Sequence, residues 1–292
     1  TCSATYDGQR HGFAMTTNAV GDYALAYSVD GGAYIPFSTA DELPALTIAG
    51  DIPLAVRVTN ANYEGGSATA LATLVVTPAP LTLRVNSASF AFDGQPHSLT
   101  ATPEGLVGGD TVDSYTMSPA SETGAGIYSV AVVAGSAVIG NVDREGNLAD
   151  NYSITREPGS LTIVDFSLSG YDGVFDGAAH GATLIVPDAF AALYDVAYTL
   201  DNVPQAEAPA MVDAGDYAVT VTLTPKEPGS GLPMLEKTVA VAIAEKPITL
   251  LATPINKVYN GEQSSIGVSL PGGAAVNAAD AERILTAITY TL

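Results

Sequence analysis

The chain has 292 residues, of which 47% are hydrophobic and 14% charged, and its formal net charge at pH 7 is −21. This hydrophobic share indicates folded domains rather than disorder, and the negative charge argues against binding to nucleic acid or to an anionic membrane. The sequence has no signal peptide, no lipidation motif and no apolar run of about 18 residues, so no membrane insertion is predicted for this fragment.

One short phrase occurs four times along the chain. It opens as Tyr6-Asp7-Gly8, Phe92-Asp93-Gly94, Phe175-Asp176-Gly177 and Tyr259-Asn260-Gly261. The opening aromatic residues are 86, 83 and 84 residues apart, an interval longer than the roughly 20–50 residues of a solenoid repeat and suited to one small domain per repeat. We therefore predict four repeats, the first truncated at its N terminus and the fourth at its C terminus, which span residues 1–79, 80–164, 165–246 and 247–292.

Strand patterns dominate the sequence. Alternating or continuous apolar stretches rich in Val, Thr and Tyr, bounded by Gly, Pro and Asp, occur at residues 81–85, 128–132, 161–163, 217–223 and 238–243. Helical periodicity occurs only at 278–285, where we expect one or two helical turns. The prediction is an all-β fold. A domain of this size buries enough surface to fold without disulfides, and the single Cys2 can form none within the chain.

The boundaries between repeats have a strand pattern on each side. Prolines lie at two of these boundaries, within residues 75–83 and 242–250, whereas residues 161–166 form a boundary without proline. Proline removes a backbone donor and fixes φ, so it interrupts strand pairing and stiffens a joint. We predict short, proline-containing linkers of about two to four residues and a semi-rigid, monomeric rod.

The second repeat carries the most specific motifs. They are the aromatic-Asp-Gly phrase at 92–94, Gly-Leu-Val-Gly-Gly-Asp-Thr-Val at 105–112, Gly-Ile-Tyr at 126–128, Asn-Tyr at 151–152 and Gly-Ser-Leu-Thr-Ile at 159–163. Together they resemble the MBG/YDG-type repeats of bacterial surface proteins, and the first and third repeats resemble the variant that opens as residues 171–177 do. The resemblance implies tandem immunoglobulin-like β-sandwich domains in secreted, surface-displayed adhesins and cell-wall-anchored proteins. It implies no catalytic residues.

The Asp-Gly pairs have a structural interpretation. Gly adopts positive φ and Asp bonds to its own backbone, so the pair is typical of tight turns, and the preceding aromatic residue is expected to face the core. Calcium requires about six to eight oxygen ligands, and the sequence has no Asp-x-Asp-x-Asp series. No metal site is therefore predicted, although weak calcium binding at the joints stays open.

The three histidines, His11, His97 and His180, each lie five residues after the opening aromatic residue. Equivalent points on successive domains of this size are about 30 Å apart, whereas zinc ligands lie about 2 Å from the metal. A structural or solvent-facing role is therefore predicted.

The sequence shows no pattern that indicates a catalytic site. There is no Gly-x-Ser-x-Gly motif, and acidic residues such as Asp30, Asp110, Asp143 and Asp201 are scattered over turns. We predict a non-enzyme with no catalytic, cofactor-binding or metal residues, and no chemical site assembled between repeats. Tyr128 and Tyr217 are interpreted as core or corner tyrosines, and a Lys237 isopeptide bond stays open for the third repeat.

Three functional hypotheses follow. The first is a non-catalytic stalk or spacer in a large exported bacterial surface protein, located at the extracellular surface or cell wall, that projects a distal adhesive domain. The second is that the repeats themselves bind a host or matrix glycan or protein, with residues 136–150 as the first place to look. The third is an accessory module of a secreted hydrolase.

Overall fold

The computed structural model describes residues 1–249, 251–252 and 268–269, and these residues are mostly β structure. They divide into two compact units. Thr1–Ala88 with Gly94–Thr162 form the first unit, and Ser89–Asp93 with the described residues from Ile163 onward form the second. The first unit thus contains the whole of the first repeat and most of the second.

The first repeat is built on one five-stranded sheet with the order β1-β5-β4-β2-β3. β1 runs parallel to β5, and the other pairs are antiparallel. Alternate residues of a strand point to one face, and Leu54 thereby packs with Phe37 and Leu43, beside a short 3-10 turn at Ala40–Glu42, to form the core. The strands are β1 (Cys2–Thr5), β2 (Ala24–Val29), β3 (Ile35–Phe37), β4 (Gly50–Thr59) and β5 (Ser67–Thr77).

The second repeat follows after Pro78 alone, since β5 ends at Thr77 and β6 begins at Ala79. β6 lies between β13, to which it is parallel, and β8, to which it is antiparallel. β9 pairs with β12, and β10 with β11. The core contains Leu81, Leu83, Val130 and Ile139. The strands are β6 (Ala79–Val85), β7 (Ala88–Ala91), β8 (Ala101–Glu104), β9 (Thr111–Ser114), β10 (Met117–Ser118), β11 (Gly126–Val132), β12 (Val138–Gly140), β13 (Tyr152–Glu157) and β14 (Gly159–Val164), with a 3-10 turn at Ala149–Asn151.

The third repeat has the same sheet plan as the first, with the order β16-β23-β22-β19-β20 and β16 parallel to β23. Alternate residues Val219, Val221 and Leu223 of β22 are fully buried, as a strand with one face toward the core requires. The elements are β15 (Ser167–Ser169), β16 (Tyr171–Val174), β17 (His180–Gly181), β18 (Thr183–Ile185), α1 (Asp188–Ala191), β19 (Tyr194–Leu200), β20 (Val203–Gln205), β21 (Ala210–Met211), β22 (Gly215–Pro225) and β23 (Leu235–Ala244).

The five strands predicted from sequence are all confirmed, each within a strand of similar bounds. In the fourth repeat, β24 (Leu251–Ala252) pairs antiparallel with β25 (Val268–Ser269). The predicted helical turns at 278–285 lie outside the described residues.

Candidate functional site

Tyr6 marks the point where the first repeat meets the second. β1 ends at Thr5, and the Tyr6 backbone N–H donates to the Thr77 carbonyl at 2.8 Å, which fixes the residue at the end of the sheet. Its side chain is buried, with the residue only 2% exposed. Tyr6 is therefore buried, as the prediction of a core-facing aromatic requires, but its ring packs against Tyr152 of the second repeat. The prediction is wrong for Phe92, which is 44% exposed.

On the side of the second repeat, Asp110 lies at the centre of the contact with the first repeat. A turn places it there: the Asp110 backbone N–H donates to the Val107 carbonyl at 3.0 Å, and Gly108 and Gly109 both have positive φ. The turn lies directly against the Asp-Gly turn of the first repeat. A Cβ built on Gly108 would lie 2.9 Å from the Gly8 Cα, so only glycine permits this approach.

Four donors converge on the Asp110 carboxylate, whose side chain is 0% exposed. The hydroxyls of Tyr6 and Tyr152 each donate to Oδ2 at 2.7 Å. Arg144 Nη2 and Asn141 Nδ2 donate to Oδ1 at 2.8 and 2.6 Å. The Tyr6 and Tyr152 rings meet edge to face, with centroids 5.4 Å apart. We call these five residues the Asp110 cluster.

Arg144 joins the two repeats directly. Its Nη1 donates to the Tyr6 hydroxyl, and its Nη2 also donates to the Gly108 carbonyl at 3.1 Å. The side chain is only 19% exposed, so the ion pair with Asp110 is largely shielded from solvent. A third bond crosses the same junction, because the Ala49 backbone N–H donates to Asn151 Oδ1 at 2.7 Å.

The electrostatics keep Asp110 ionised. Burial opposes its charge, but the hydrogen bonds from Tyr6, Tyr152 and Asn141 and the charge of Arg144 outweigh burial and hold the Asp110 pKa below its usual value. Burial, reinforced by the Asp110 hydrogen bond and charge, raises the pKa of Tyr6 to about 12. Burial likewise raises the pKa of Tyr152. The cluster is therefore an ionised carboxylate held by two neutral phenols, an amide and a guanidinium.

The chemistry of the cluster is structural. A carboxylate offers about four lone-pair positions, and the four protein donors occupy them. These bonds join residues that are 104 and 138 positions apart in the sequence, so the cluster is a structural contact between the two repeats. The expectation that no chemical site is assembled between repeats stays a prediction. Residues 136–150, the tract first suggested as a ligand site, supply Asn141 and Arg144 to the cluster.

The histidines fix the Asp-Gly turns. His11 Nε2 lies 2.9 Å from Asp7 Oδ1, and His180 Nε2 lies 2.9 Å from Asp176 Oδ1. The predicted structural role is thus confirmed for these two, and His97 exchanges backbone hydrogen bonds with Glu122. The Gln9 backbone N–H is the main cause that lowers the Asp7 pKa, whereas the His180 bond is the main cause for Asp176.

Two further predictions concern tyrosine and lysine side chains. The Tyr128 and Tyr217 hydroxyls donate to the carbonyls of Gly124 at 3.0 Å and Asp213 at 3.1 Å, four residues upstream, which confirms the corner role. Lys237 Nζ is 2.7 Å from Asp165 Oδ1, and these side chains are 40% and 28% exposed. This solvent-accessible ion pair is unlike the buried environment that an isopeptide bond requires.

The described part of the chain holds no group of three or more His, Cys, Asp or Glu residues placed to bind a metal ion. Within the same residues, no helix has the length and apolar character needed to cross a membrane.

Replacing Tyr6 with Phe tests the Tyr6 hydroxyl. We expect Tyr6→Phe to lower the free energy of unfolding of the first unit by about 1.5–3 kcal/mol, because bonds to two charged groups are lost. Tyr23→Phe is the matched control, since Tyr23 is exposed, and it is expected to change stability by less than about 0.5 kcal/mol. Urea unfolding, monitored by hydrogen exchange of the β5 and β6 amides, measures the stability change of each variant. Equal effects of the two variants would contradict the role of Tyr6.

The cluster also predicts a pH dependence. The Asp110 pKa is lowered in the folded state, so its contribution is complete above the unfolded value of about 3.9 and is lost as the pH falls below it. The stability difference between the parent chain and Asp110→Asn should therefore shrink as the pH is lowered from 6 to 3. Chemical denaturation across this range measures the difference. A constant difference would show that Asp110 ionisation does not contribute.

Among curated proteins, none matches the chain. Solved structures match over most of its length, but with TM-scores far below 0.5, and these likenesses support no argument about function. They include mouse protocadherin-24 EC1-3 (TM-score 0.25, 10% identity, 84% of this chain and 96% of that one) and Drosophila N-cadherin EC1-4 (0.20, 12%, 85% and 73%). A third is the Bacteroides ovatus mixed-linkage glucan utilization locus protein SGBP-B in complex with a mixed-linkage heptasaccharide (0.21, 10%, 86% and 67%).

A protein-family match covers part of the chain. It corresponds closely to the second repeat and confirms the resemblance that its motifs indicated. Residues 81–162 match the family described as the MBG domain (YGX type), so the second repeat is similar to domains of this family.

Proposed function

We propose that the chain is a set of non-catalytic spacer repeats from a large exported bacterial surface protein. Each repeat is an immunoglobulin-like β-sandwich, and the tandem array projects a distal adhesive domain away from the cell envelope. The MBG-type domain at 81–162 supports this assignment, since domains of the type that it resembles are typical of bacterial surface proteins. The site of action is the cell surface or cell wall.

The observation that carries the proposal is the Asp110 cluster. A spacer holds a distal domain at a set distance only if its successive domains keep a fixed orientation. A flexible tether does not keep domains in a fixed orientation. In the first unit, one residue separates the strands of neighbouring repeats, and a buried ion pair with four converging donors holds the contact. The polar groups of the Asp110 cluster bond to one another, so the cluster stabilises the joint between the two repeats.

The exposed aromatic residues favour the spacer over direct ligand binding. A repeated binding face would show the same aromatic residue exposed in each repeat, because stacking on sugars or peptides needs accessible rings. Tyr23 is 41% exposed, but its counterpart Tyr194 in the third repeat is 3% exposed. The exposed Tyr23 of the first repeat thus corresponds to a buried tyrosine in the third repeat.

Two properties of the proposed array remain predictions. The net charge of −21 would keep neighbouring rods apart and soluble, and the rod would be monomeric without nucleic-acid partners.

A display experiment tests the proposal. The chain is placed between a cell-surface anchor and an N-terminal epitope, and access of a bulky antibody to the epitope is compared with that of an epitope anchored directly. We expect greater access with the chain, and no saturable binding of the purified chain to a glycan array. Saturable glycan binding would overturn the spacer in favour of a ligand-binding role, and equal antibody access would also contradict it.

A further inference from the structure

The aromatic-Asp-Gly phrase lies at the same structural point in each of the first three repeats. The backbone N–H of its aromatic residue donates to the carbonyl of the residue that ends the last strand of that repeat. The strand that opens a repeat is thereby bonded to the strand that closes it, shortly before the next repeat begins. The three bonds measure 2.8 to 2.9 Å and join Tyr6 to Thr77, Phe92 to Val164 and Phe175 to Ala244.

In the third repeat, the opening strand β16 runs parallel to the closing strand β23. Their register pairs Tyr171 with Val241 and Val174 with Ala244. β23 lies between β16 and β22, and it pairs antiparallel with β22 along Gly215–Leu223. β16 lies at the edge of this sheet, so the opening strand is attached to the sheet through β23.

The side chains of this strand pair pack into the core of the repeat. Val241 and Ile243 of β23 are buried in one cluster, and Tyr171 of β16 and Phe175, the residue after β16, pack against it. A Cβ built on Gly173 would overlap the Tyr171 ring, so the tyrosine lies over this glycine and covers the edge strand. These contacts limit the access of water to the backbone hydrogen bonds, which are stronger where the local dielectric is low.

The chain enters the third repeat in the direction in which β23 runs. Lys237 Nζ lies 2.7 Å from Asp165 Oδ1 and 2.5 Å from the Phe166 carbonyl oxygen, which places the entering segment beside the start of β23. A Cβ built on Gly170 would overlap the Ala240 carbonyl, so the residue before β16 lies further along the same strand. The entering segment therefore follows β23 toward the end of that strand.

This arrangement sets how tension along the chain acts on the repeat. The chain enters beside the start of β23 and leaves after Ala244, where β23 ends. Because β16 and β23 are parallel, a pull on the chain slides one strand along the other and loads all the hydrogen bonds between them together. Unfolding then requires several bonds to break at once. A pull on two points at the same end of the pair would instead break the bonds one after another.

We propose that the third repeat resists tension applied along the chain, and that the parallel pairing of β16 with β23 carries this tension. The Phe175 bond closes the pair at the end where the chain leaves. The proposal rests on the spacer function for its setting, because a stalk that holds a bound distal domain is pulled along its length. Unfolding under force is governed by the unfolding rate, so the property is measured as a lifetime under force.

The test compares two directions of pull on the full chain. Cys2→Ser removes the native thiol, and force is applied through pairs of cysteines introduced at exposed residues. Ser169→Cys with Glu245→Cys holds the two strands at opposite ends, and Ala179→Cys with Glu245→Cys holds them at the same end. At equal constant force, we expect the opposite-end variant to survive at least about tenfold longer, since several hydrogen bonds must break together.

A backbone variant tests the Phe175 bond under the opposite-end pull. Phe175→Pro removes the N–H that donates to the Ala244 carbonyl, whereas the control Phe175→Ala removes the ring and keeps that N–H. We expect the Pro variant to have a severalfold shorter lifetime than the Ala variant. Equal lifetimes would show that this bond does not carry tension.

Equal lifetimes for the two directions of pull would overturn the proposal, because the parallel pair would then give no resistance that depends on its geometry. A shorter lifetime for the opposite-end variant would overturn it as well. The lifetimes are measured on the purified chain and involve neither antibody access nor glycan binding. A long opposite-end lifetime together with a failed display experiment would therefore reject the spacer function alone.

Discussion

Replacing Asp110 with Ala is expected to lower the free energy of unfolding of the first unit by about 3–5 kcal/mol. The change leaves the partly buried Arg144 guanidinium without its counter-ion, and the Tyr6 and Tyr152 hydroxyls lose their common acceptor. Removing one partner of a buried pair is costly because the remaining groups keep their desolvation penalty.

The measurement is denaturant unfolding read by hydrogen exchange of β5 and β6 amides. Asp143→Ala is the matched control, since Asp143 lies in the same 141–144 turn but is exposed. It removes the same charge, and surface substitutions change stability by about 0.5 kcal/mol or less. Similar losses for the two variants would show that net charge, and not the cluster, sets the stability.

Replacing Phe166 with Ala is expected to destabilise the second unit by about 3–5 kcal/mol. Phe166 is 1% exposed and packs in the cluster that contains Phe190, Tyr194 and Val221, so its removal leaves a large cavity. The loss should appear as faster exchange of the β22 amides. Phe92→Ala is the control, because this phenylalanine of the same unit is 44% exposed.

If Phe166→Ala costs no more stability than Phe92→Ala, the segment that precedes β16 contributes little to the stability of its repeat, and the prediction is wrong.

Much of the fold was predictable because its signals are local. Alternation over 217–223 and 238–243 predicts strands with one apolar face, and the structure buries the alternate residues Val219, Val221 and Leu223. Asp-Gly likewise predicts a turn from two adjacent residues, and Gly8, Gly94 and Gly177 all have positive φ. The family match at 81–162 lies where the motifs were densest.

The Asp110 cluster was not predictable by the same means. Tyr6 and Asp110 are 104 residues apart, and no local pattern pairs two residues at that separation. A weak signal did exist: Tyr6 carries a hydroxyl where Phe92 and Phe175 have none, and the chain has only 10 basic residues, one of which is Arg144. In the sequence, Asp110 looks like any turn aspartate, because its bonding partners lie at least 31 positions away along the chain.

A comparison of the second and fourth repeats predicts that the joints that precede these two repeats are not equivalent. The fourth repeat has Leu270-Pro271-Gly272-Gly273-Ala274 where the second has Leu106-Val107-Gly108-Gly109-Asp110. Ala274 cannot accept hydrogen bonds from a phenol or a guanidinium through its side chain. The sequence therefore assigns the cluster to the junction of the first and second repeats and not to that of the third and fourth.

The most direct test of the account is a distance distribution within the first unit. Cys2 is the only cysteine and is exposed, so it can carry one spin label, and Ser129→Cys on an exposed position of β11 can carry the second. The account predicts one narrow distribution for the parent chain and a broad one when Asp110→Ala is added. Distributions of equal width with and without the Asp110 carboxylate would contradict the claim that this cluster holds the two repeats in a fixed orientation.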